Sequence, residues 1–252
     1  MRPGRPPAAT PVRDLHDELE EQVRELDAFA YSVSHDLRAP LRSLEGFSQI
    51  LLEEHAAGLD DEGRRYLERI RANVERMTEM MDALLELSRA ARSQLRRERT
   101  DLSALAREVA ADLTATDPGR PVRFAVADGL VAPGDPNLIR IVLQNLLGNA
   151  YKFTAQRPDA LIEVFAERQD GVDVYVVRDN GAGFETRHAH RMFDPFQRLH
   201  PASEFEGTGV GLAIVRRIVA RHGGQIGATG EPGQGAQVRF SLAPGPAGWE
   251  LR

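Results

Sequence analysis

The chain has 252 residues, of which 28% are charged and 42% are hydrophobic, and its formal net charge is -6. This composition is ordinary for a globular protein of one or two domains, and the negative charge argues against a protein that binds nucleic acid through a basic surface. The absence of cysteine excludes disulfides and thiolate metal sites, and no apolar run approaches the ~18 residues that span a membrane.

The first part of the chain is predicted to be a short lead-in followed by a long amphipathic helix. Residues 1–14 are rich in proline and lack the apolar core of a signal peptide, so we expect a disordered segment. Apolar side chains then recur at spacings of three and four, which is the heptad pattern of a coiled coil. The seam residues are Leu15, Leu19, Leu26, Phe29, Val33, Leu37, Leu41, Leu44, Ile50 and Leu51.

A second heptad helix follows a predicted turn at Gly58 and a helix N-cap at Asp60. The two helices predict a helical hairpin within residues 15–98. Because a lone hairpin buries only one seam, two copies are expected to form a four-helix bundle, which predicts a homodimer. A coiled-coil spacer without chemistry is the alternative. The second seam consists of Leu67, Ile70, Val74, Met77, Met81 and Leu84.

Residues 99–245 are predicted to form an α/β sandwich with a mixed sheet. The charged stretch SQLRRERT, residues 93–100, is predicted to be a linker at the start of this domain. Residues 246–252 are predicted to be a tail. Helical patterns such as GLAIVRRIVAR alternate with strand patterns such as LIEVFAE and VDVYVVRD. Asp170 and Gly171 separate these two strands and are typical of a tight hairpin turn.

The stretch SVSHDLRAPL, residues 32–41, combines a histidine with an aspartate and a proline inside a helical pattern. On a helical wheel His35 lies opposite Val33 and Leu37, so it faces water and not the seam. A carboxylate at Asp36 can hold one ring N–H and leave the other nitrogen as a nucleophile. Pro40 removes one helical hydrogen bond and favours a kink that would present His35 differently in two states.

Two further stretches carry polar residues suited to a nucleotide. In QNLLGNAYKFT, Asn145 and Asn149 share a helical face with oxygens that suit Mg²⁺, while a solvated polar face is the alternative. RDNGAGF and EGTGVGL add an aspartate and glycines that permit close backbone approach. The chain has neither the Rossmann strand–helix order before Gly207 nor a P-loop motif.

The order SHDLRAPL, NLLGNAYKFT, DNGAGF, FDPF, GTGVGL and GQGA resembles the sensor histidine kinases of two-component signalling, over about residues 15–242. The amino-acid sequence around these motifs most resembles the kinase output modules of phytochrome-type and PAS-linked sensors. The resemblance implies a dimerisation and histidine-phosphotransfer hairpin followed by a Bergerat-type ATP-binding domain. No PAS or photosensory domain is recognisable, so the chain is either part of a longer protein or a kinase that takes its signal through the coiled coil.

The resemblance also assigns roles to individual residues. His35 is the expected phosphoacceptor and Asp36 its orienting or general-base partner. Asn149, with Asn145 one turn before it, is the expected Mg²⁺ ligand; an asparagine at 145, where ATP-hydrolysing relatives carry glutamate, favours transfer to histidine over hydrolysis. The remaining residues expected to bind ATP are Tyr151, Lys152, Asp179, Gly181, Gly183, Phe193, Phe196, Arg198, Gly207, Thr208, Gly209, Gly211 and Leu212.

Within that set, Asp179 is expected at the adenine amino group, Arg198 at the γ-phosphate, and Phe193 and Phe196 in the lid segment. The expected cofactors are ATP and Mg²⁺. The expected partners are a second copy, a response-regulator receiver domain and an upstream sensor domain, with no nucleic acid and no membrane span, in the cytoplasm. Four histidines match no motif, and the pair His188 and His190 is read as surface and not as a metal site.

One departure from the family pattern bears on a second activity. Relatives that dephosphorylate their regulators carry threonine or asparagine four residues after the phosphoacceptor, where this chain has Ala39. Alanine has no group with which to orient water, so the expected enzyme is kinase-dominant with weak phosphatase activity. An ATP-hydrolysing Bergerat protein and a pseudokinase scaffold are the alternative functions.

Overall fold

The computed structural model describes residues 36–55, 58–92, 95–201, 204–205 and 207–244. These residues belong to two compact units, one ending at Ser88 and the other beginning at Arg89. The predicted lead-in, the phosphoacceptor candidate His35 and the predicted tail lie outside the described residues.

Within the described residues the first unit contains two helices, as the heptad patterns predict there; the part of the first seam from Leu15 to Val33 lies outside the described residues. Helix α1 covers residues 36–53 and includes Pro40, and helix α2 spans Asp61–Arg92. The Asp60 carboxylate accepts a hydrogen bond from the Gly63 N–H at 2.7 Å, so the predicted N-cap is confirmed. Leu41, Val74 and Met81 form a small buried cluster between the helices.

Much of the apolar surface of this unit remains exposed in a single chain. Ile70 and Met77 belong to the same heptad seam as Val74, yet 41% and 45% of their surfaces are accessible. Helix α1 exposes further apolar side chains, namely Leu37, Leu44, Phe47, Ile50 and Leu51. A contiguous apolar face of this kind is typical of an interface between protein chains.

The second unit is an α/β sandwich. Its elements in chain order are β1 (Glu98–Asp101), α3 (Leu102–Thr116), β2 (Val122–Val126), β3 (Val131–Gly134), α4 (Pro136–Phe153), β4 (Ala160–Gln169), β5 (Val172–Asp179), a 3₁₀ helix (Thr186–Arg191), α5 (Gly211–Arg221), β6 (Ile226–Glu231) and β7 (Gly235–Phe240). The main sheet has the order β2-β4-β5-β7-β6, with β2 and β4 parallel and the other neighbours antiparallel. The predicted mixed sheet is therefore confirmed.

The prediction that residues 93–100 are only a charged linker is wrong for the end of that stretch. Residues Glu98–Asp101 form β1, which pairs antiparallel with β3. Only Thr100 of this strand is buried, and its hydroxyl donates to the Gly134 carbonyl at 3.1 Å. The charged side chains face outward, so the strand shows no apolar alternation, and its partner lies more than thirty residues away in sequence.

The turn and cap chemistry agrees with the sequence. Asp170 and Gly171 both have positive φ, 48° and 82°, as a tight hairpin between β4 and β5 requires. Helix α4 begins with Pro136, and the Asp135 side chain accepts from Asn137 N at 3.0 Å.

A buried histidine fixes the start of α4 to the end of α5. His222 is fully buried, its Nε2 accepts from the Asp135 N–H at 3.1 Å, and its Nδ1 donates to the Ile218 carbonyl at 2.8 Å. Burial lowers the pKa of His222, with Arg97 acting in the same direction, which favours the neutral ring that this bonding pattern needs. No motif had marked this residue.

The exposed seam of α2 leads to a testable prediction about assembly. Met77→Asp should abolish the dimer while leaving the helical content of the chain intact, because Met77 is exposed in a single hairpin and would become a buried unpaired charge only between two copies. Val74→Asp should also unfold the hairpin, because Val74 is already buried within one chain.

Sedimentation and circular dichroism of both variants provide the check, with Ala72→Asp, an exposed position off the seam, as the matched control. A Met77→Asp protein that still sediments as a dimer would contradict the predicted interface.

Candidate functional site

A cavity in the second unit lies between α4, the end of β5 and the segment that precedes α5. We call residues 192–210 the lid segment; residues 202, 203 and 206 within it lie outside the described residues. Eleven of the fifteen residues expected to bind nucleotide line this cavity, namely Asn145, Asn149, Lys152, Asp179, Gly183, Arg198, Gly207, Thr208, Gly209, Gly211 and Leu212.

Helix α4 supplies a polar face to the cavity. The side-chain N–H of Asn145 donates to the Ile141 carbonyl at 2.9 Å, which fixes the amide so that its oxygen points away from the helix backbone. The Lys152 ammonium donates to the Asn149 side-chain oxygen at 3.3 Å. The opposite face of α4 buries Leu143 and Leu147, so packing directs these polar side chains into the cavity, where Leu146 also lies.

Close packing around the glycines brings the start of α5 against this polar face. A Cβ atom at Gly211 would lie 2.3 Å from the Asn145 side-chain oxygen, and one at Gly207 would lie 3.1 Å from the Lys152 ammonium. Val210 precedes α5 without a side-chain capping bond, so the first N–H groups of this helix are available to an anion. Larger residues at either glycine would fill the space that a phosphate needs.

Two cationic side chains meet at the same end of the cavity. Burial lowers the pKa of Lys152, and the nearby Arg198 guanidinium lowers it further. An anion bound between them would relieve both effects. This end of the cavity is therefore suited to phosphate groups.

The other end is marked by a buried carboxyl group. Burial raises the pKa of Asp179, at the end of β5, to about 6, although hydrogen bonds from the Gly181 and Ala236 N–H groups oppose the rise. The Gly181 bond is 2.8 Å long. A buried carboxylate with a free lone pair is suited to accept from an amino group of a heterocyclic base.

The loop after Asp179 admits only glycine at two positions. A Cβ atom at Gly181 would lie 2.4 Å from the Phe153 carbonyl oxygen, and one at Gly183 would lie 1.9 Å from the Glu231 carbonyl oxygen. Gly183 also has a φ of 63°. The loop is thereby pressed against the end of α4 and against β6, which fixes Asp179 at the cavity.

Four of the expected residues do not line the cavity. Tyr151 stacks on Phe124, and the Arg120 guanidinium lies 4.0 Å from its ring centre. Phe193 is buried in the core, and Phe196 is 53% exposed. Gly181 contributes only through its hydrogen bond to Asp179. Asp36 is exposed at the first described position of α1, in the other unit.

Sequence reasoning missed an aromatic wall of this cavity. His200 and Phe205 of the lid segment pack on Phe153, the last residue of α4, with ring centres 5.3 and 5.0 Å away from it. All three side chains line the cavity. The lid segment has no helical or strand periodicity, so the pattern gave no sign that its side chains turn inward.

Two family models match the chain. The model described as "His Kinase A (phospho-acceptor) domain" covers residues 25–92, and the model described as "Histidine kinase-, DNA gyrase B-, and HSP90-like ATPase" covers residues 134–246. This pair, in this order, occupies most of the chain.

The chain belongs to the sensor histidine kinases.

Relatives of this kinase chain include phytochromes and other sensory kinases. It is 34% identical to cyanobacterial phytochrome B of Nostoc sp. over 93% of its own length and 31% of that protein. It is 31% identical to the adaptive-response sensory kinase SasA of a Synechococcus strain, over 92% of its own length and 63% of SasA. The kinase chain thus spans about a third of the phytochrome, and less than two thirds of SasA.

Solved structures agree with the fold. The full-length structure of ShkA in complex with AMPPNP is 28% identical, with a TM-score of 0.62 over 86% of the kinase chain and 45% of ShkA. The histidine kinase AdeS of Acinetobacter baumannii, at 19% identity and a TM-score of 0.56, shares the fold over 84% of the kinase chain and 98% of AdeS. Within the described ranges, no helix is long and apolar enough to cross a bilayer.

The raised pKa of Asp179 predicts that nucleotide affinity depends on pH. A neutral carboxyl group at this position loses the charge-assisted hydrogen bond to an amino group, so affinity should fall as the pH drops through about 6. From pH 8 to pH 5 we expect a loss of about tenfold, and Asp179→Asn should lose ~1.5–3 kcal/mol of binding at pH 8 but show a flat profile.

Titration calorimetry with adenosine as well as ATP separates the carboxyl group from the titrating phosphates, because adenosine has none. An identical pH profile in the wild type and in Asp179→Asn would rule out this role for Asp179.

Proposed function

We propose that the chain is an ATP-dependent protein-histidine kinase, which transfers the γ-phosphoryl group of Mg-ATP to His35 and from there to an aspartate of a response-regulator receiver domain. The observation that carries the proposal is the convergence of Asp179 with the polar face of α4 on one cavity. The membership of the chain in the sensor histidine kinases, and the ShkA structure solved with the adenine nucleotide AMPPNP, support it.

The residues of the cavity fit a nucleotide end to end. The Asp179 carboxylate would accept from the adenine amino group, and the start of α5 at Gly211 would receive phosphate oxygens. Lys152 and Arg198 would offset the negative charge of the terminal phosphates. Because Gly207 and Gly211 have no side chains, they leave room for these groups; a side chain at either position would fill that room.

The side chains of α4 fit a magnesium ion only with help from the nucleotide. Among the described residues no three His, Cys, Asp or Glu side chains converge as a metal site. Mg²⁺ prefers oxygen ligands and usually keeps phosphate and water oxygens in its shell. The Asn149 oxygen, with Asn145 one turn before it, would therefore hold the ion together with the phosphates, and the ion would supply charge stabilisation to phosphoryl transfer.

Among the described residues, the phosphate end of the cavity has no carboxylate that could activate water for hydrolysis. Of the described side chains that line it, Asp179 is the only carboxylate, and it lies in the loop that we assign to the base. Position 145, beside the phosphate end, holds an amide, which is a poor base. This favours transfer to histidine over the alternative of an ATP-hydrolysing Bergerat protein. The convergence of the expected nucleotide-binding residues on one cavity likewise argues against a pseudokinase scaffold.

The transfer step forms one bond and breaks one bond. A neutral His35 ring nitrogen attacks the γ-phosphorus, the bond to the β–γ bridging oxygen breaks, and ADP leaves with that electron pair. The Asp36 carboxylate would hold the N–H of the other ring nitrogen and offset the charge on the phosphorylated ring. The phosphoryl group would then pass to the receiver carboxylate.

The expected partners remain part of this proposal. A second copy would cover the exposed seam of α1 and α2, which is consistent with the match to the phosphoacceptor domain family. An upstream sensor domain would act through the coiled coil before α1. We place the reaction in the cytoplasm, where ATP and receiver domains would be available to it.

The phosphorylation site can be tested directly. Wild-type chain incubated with γ-labelled ATP should carry an acid-labile label. His35→Gln should carry none while it binds ATP as tightly as the wild type, because the sequence predicts His35 in the helical hairpin, whereas the cavity lies in the second unit. Released phosphate without protein label would indicate a hydrolase, and neither product would indicate a scaffold. Label that persists in His35→Gln would refute His35 as the acceptor.

A second prediction concerns phosphatase activity. Ala39 has no hydrogen-bonding side chain, and its carbonyl already accepts from the Ser43 hydroxyl at 3.2 Å, so we expect little acceleration of phospho-regulator decay. The measurement uses His35→Gln protein, which cannot take the phosphoryl group back. Ala39→Thr in that background should raise the decay rate, whereas rapid decay with Ala39 in place would contradict a kinase-dominant enzyme.

A further inference from the structure

His200 occupies a position in the cavity that no motif assigns. Its Nε2 lies 2.9 Å from the Gly183 carbonyl oxygen, and its ring packs between Phe153 and Phe205, with ring centres 5.3 and 5.2 Å away. Gly183 belongs to the loop that begins at Asp179, and His200 belongs to the lid segment. The histidine therefore joins the lid segment to the loop that would recognise the base.

The direction of the hydrogen bond is fixed by its partner. A carbonyl oxygen can only accept, so the His200 Nε2 must carry the proton and donate it. Gly183 is held in a left-handed conformation against β6, which makes its carbonyl a fixed anchor point. The hydrogen bond to Gly183 thus requires an N–H donor at position 200, whereas the packing on Phe153 and Phe205 requires a ring.

His200 is connected to Arg198 through Phe205. The Arg198 guanidinium donates to the Phe205 carbonyl oxygen, and the Phe205 ring packs on both His200 and Phe153. Arg198 also lies near enough to Lys152 to depress its pKa. The placement of this cation at the phosphate end therefore depends on how firmly the lid segment is attached at His200.

We propose that His200 is a positioning residue that latches the lid segment onto the Gly183 carbonyl, and thereby sets Arg198 opposite the terminal phosphate of the bound nucleotide. The inference rests on the proposed function, since it concerns the same nucleotide. It goes further by assigning the preference for a triphosphate over a diphosphate to a histidine that no motif marks. Without the latch, the base end should bind normally while the terminal phosphate loses its cation.

Two variants of His200 separate the donor from the ring. His200→Phe keeps an aromatic ring on Phe153 and Phe205 but cannot donate to Gly183, whereas His200→Gln restores an N–H donor without a ring. His190→Phe is the matched control, because His190 is exposed on the 3₁₀ helix and does not line the cavity. Calorimetry with adenosine, ADP and ATP in the presence of Mg²⁺ gives the three affinities for each protein.

We expect His200→Phe to weaken ATP about tenfold and to change adenosine and ADP by less than about threefold, which corresponds to ~1.4 kcal/mol on the terminal phosphate alone. His200→Gln should keep the ATP preference of the wild type to within about threefold. Amide hydrogen exchange of residues 197–200 in the nucleotide-free protein should accelerate in His200→Phe and not in the control. An ATP-to-ADP preference that is unchanged in His200→Phe would overturn the proposal.

A double-mutant cycle tests whether His200 acts through Arg198. In an Arg198→Ala background, where the cation is already absent, His200→Phe should cause no further loss of the ATP preference. Equal losses in both backgrounds would show that His200 does not act by positioning Arg198, and would overturn the proposal. A wild-type chain that binds none of the three ligands would instead refute the proposed function itself.

Discussion

Helix α4 is held at both ends by contacts with the other parts of the site, and the arrangement of the cavity depends on this. At its start, Asp135 caps the helix while its own N–H donates to the buried His222 at the end of α5. At its end, the Phe153 carbonyl accepts from Ala182 in the loop after Asp179, at 3.0 Å. The helix that carries the amide and lysine side chains is therefore in fixed register with both the phosphate end and the base end.

The cavity is assembled at a cost to stability. The pKa of Asp179 rises from 3.8 to about 6 on folding, so the folded state binds a proton more tightly than the unfolded chain does. Stability contributed by this group therefore falls as the pH rises from about 4 to 6, and above that range the full cost, on the order of 3 kcal/mol, remains. Burial also lowers the pKa of the partly buried Lys152, and the nearby Arg198 lowers it further. A ligand with an amino group at one end and phosphates at the other would offset both penalties.

The lid segment differs from the rest of the site because the described residues between its two ends form no helix or strand and include few buried side chains. Helix α4 and strand β5 place their side chains through extensive burial. The lid segment is buried at its ends through Phe193 and Val210, and between them it is attached by the His200 imidazole, the Phe205 ring and an ion pair of Asp194 with Arg216 of α5. Segments with few buried contacts open at low free energy. Access of the nucleotide and the position of Arg198 are thus controlled by the same small set of interactions.

The sequence by itself predicted the helical hairpin, the Asp60 cap and the Asp170–Gly171 turn, because periodicity, caps and turn residues are local signals. The eleven expected residues that line the cavity came from the motifs together with the resemblance that they carry. The resemblance to sensor histidine kinases added roles that periodicity does not contain. Only the tertiary structure decided that Glu98–Asp101 forms a strand, that His222 is buried, and that His200 and Phe205 turn inward onto Phe153. Each of these depends on a partner distant in sequence or on the direction of a side chain within an irregular segment. Neither dependence produces a periodic pattern of apolar residues in the sequence.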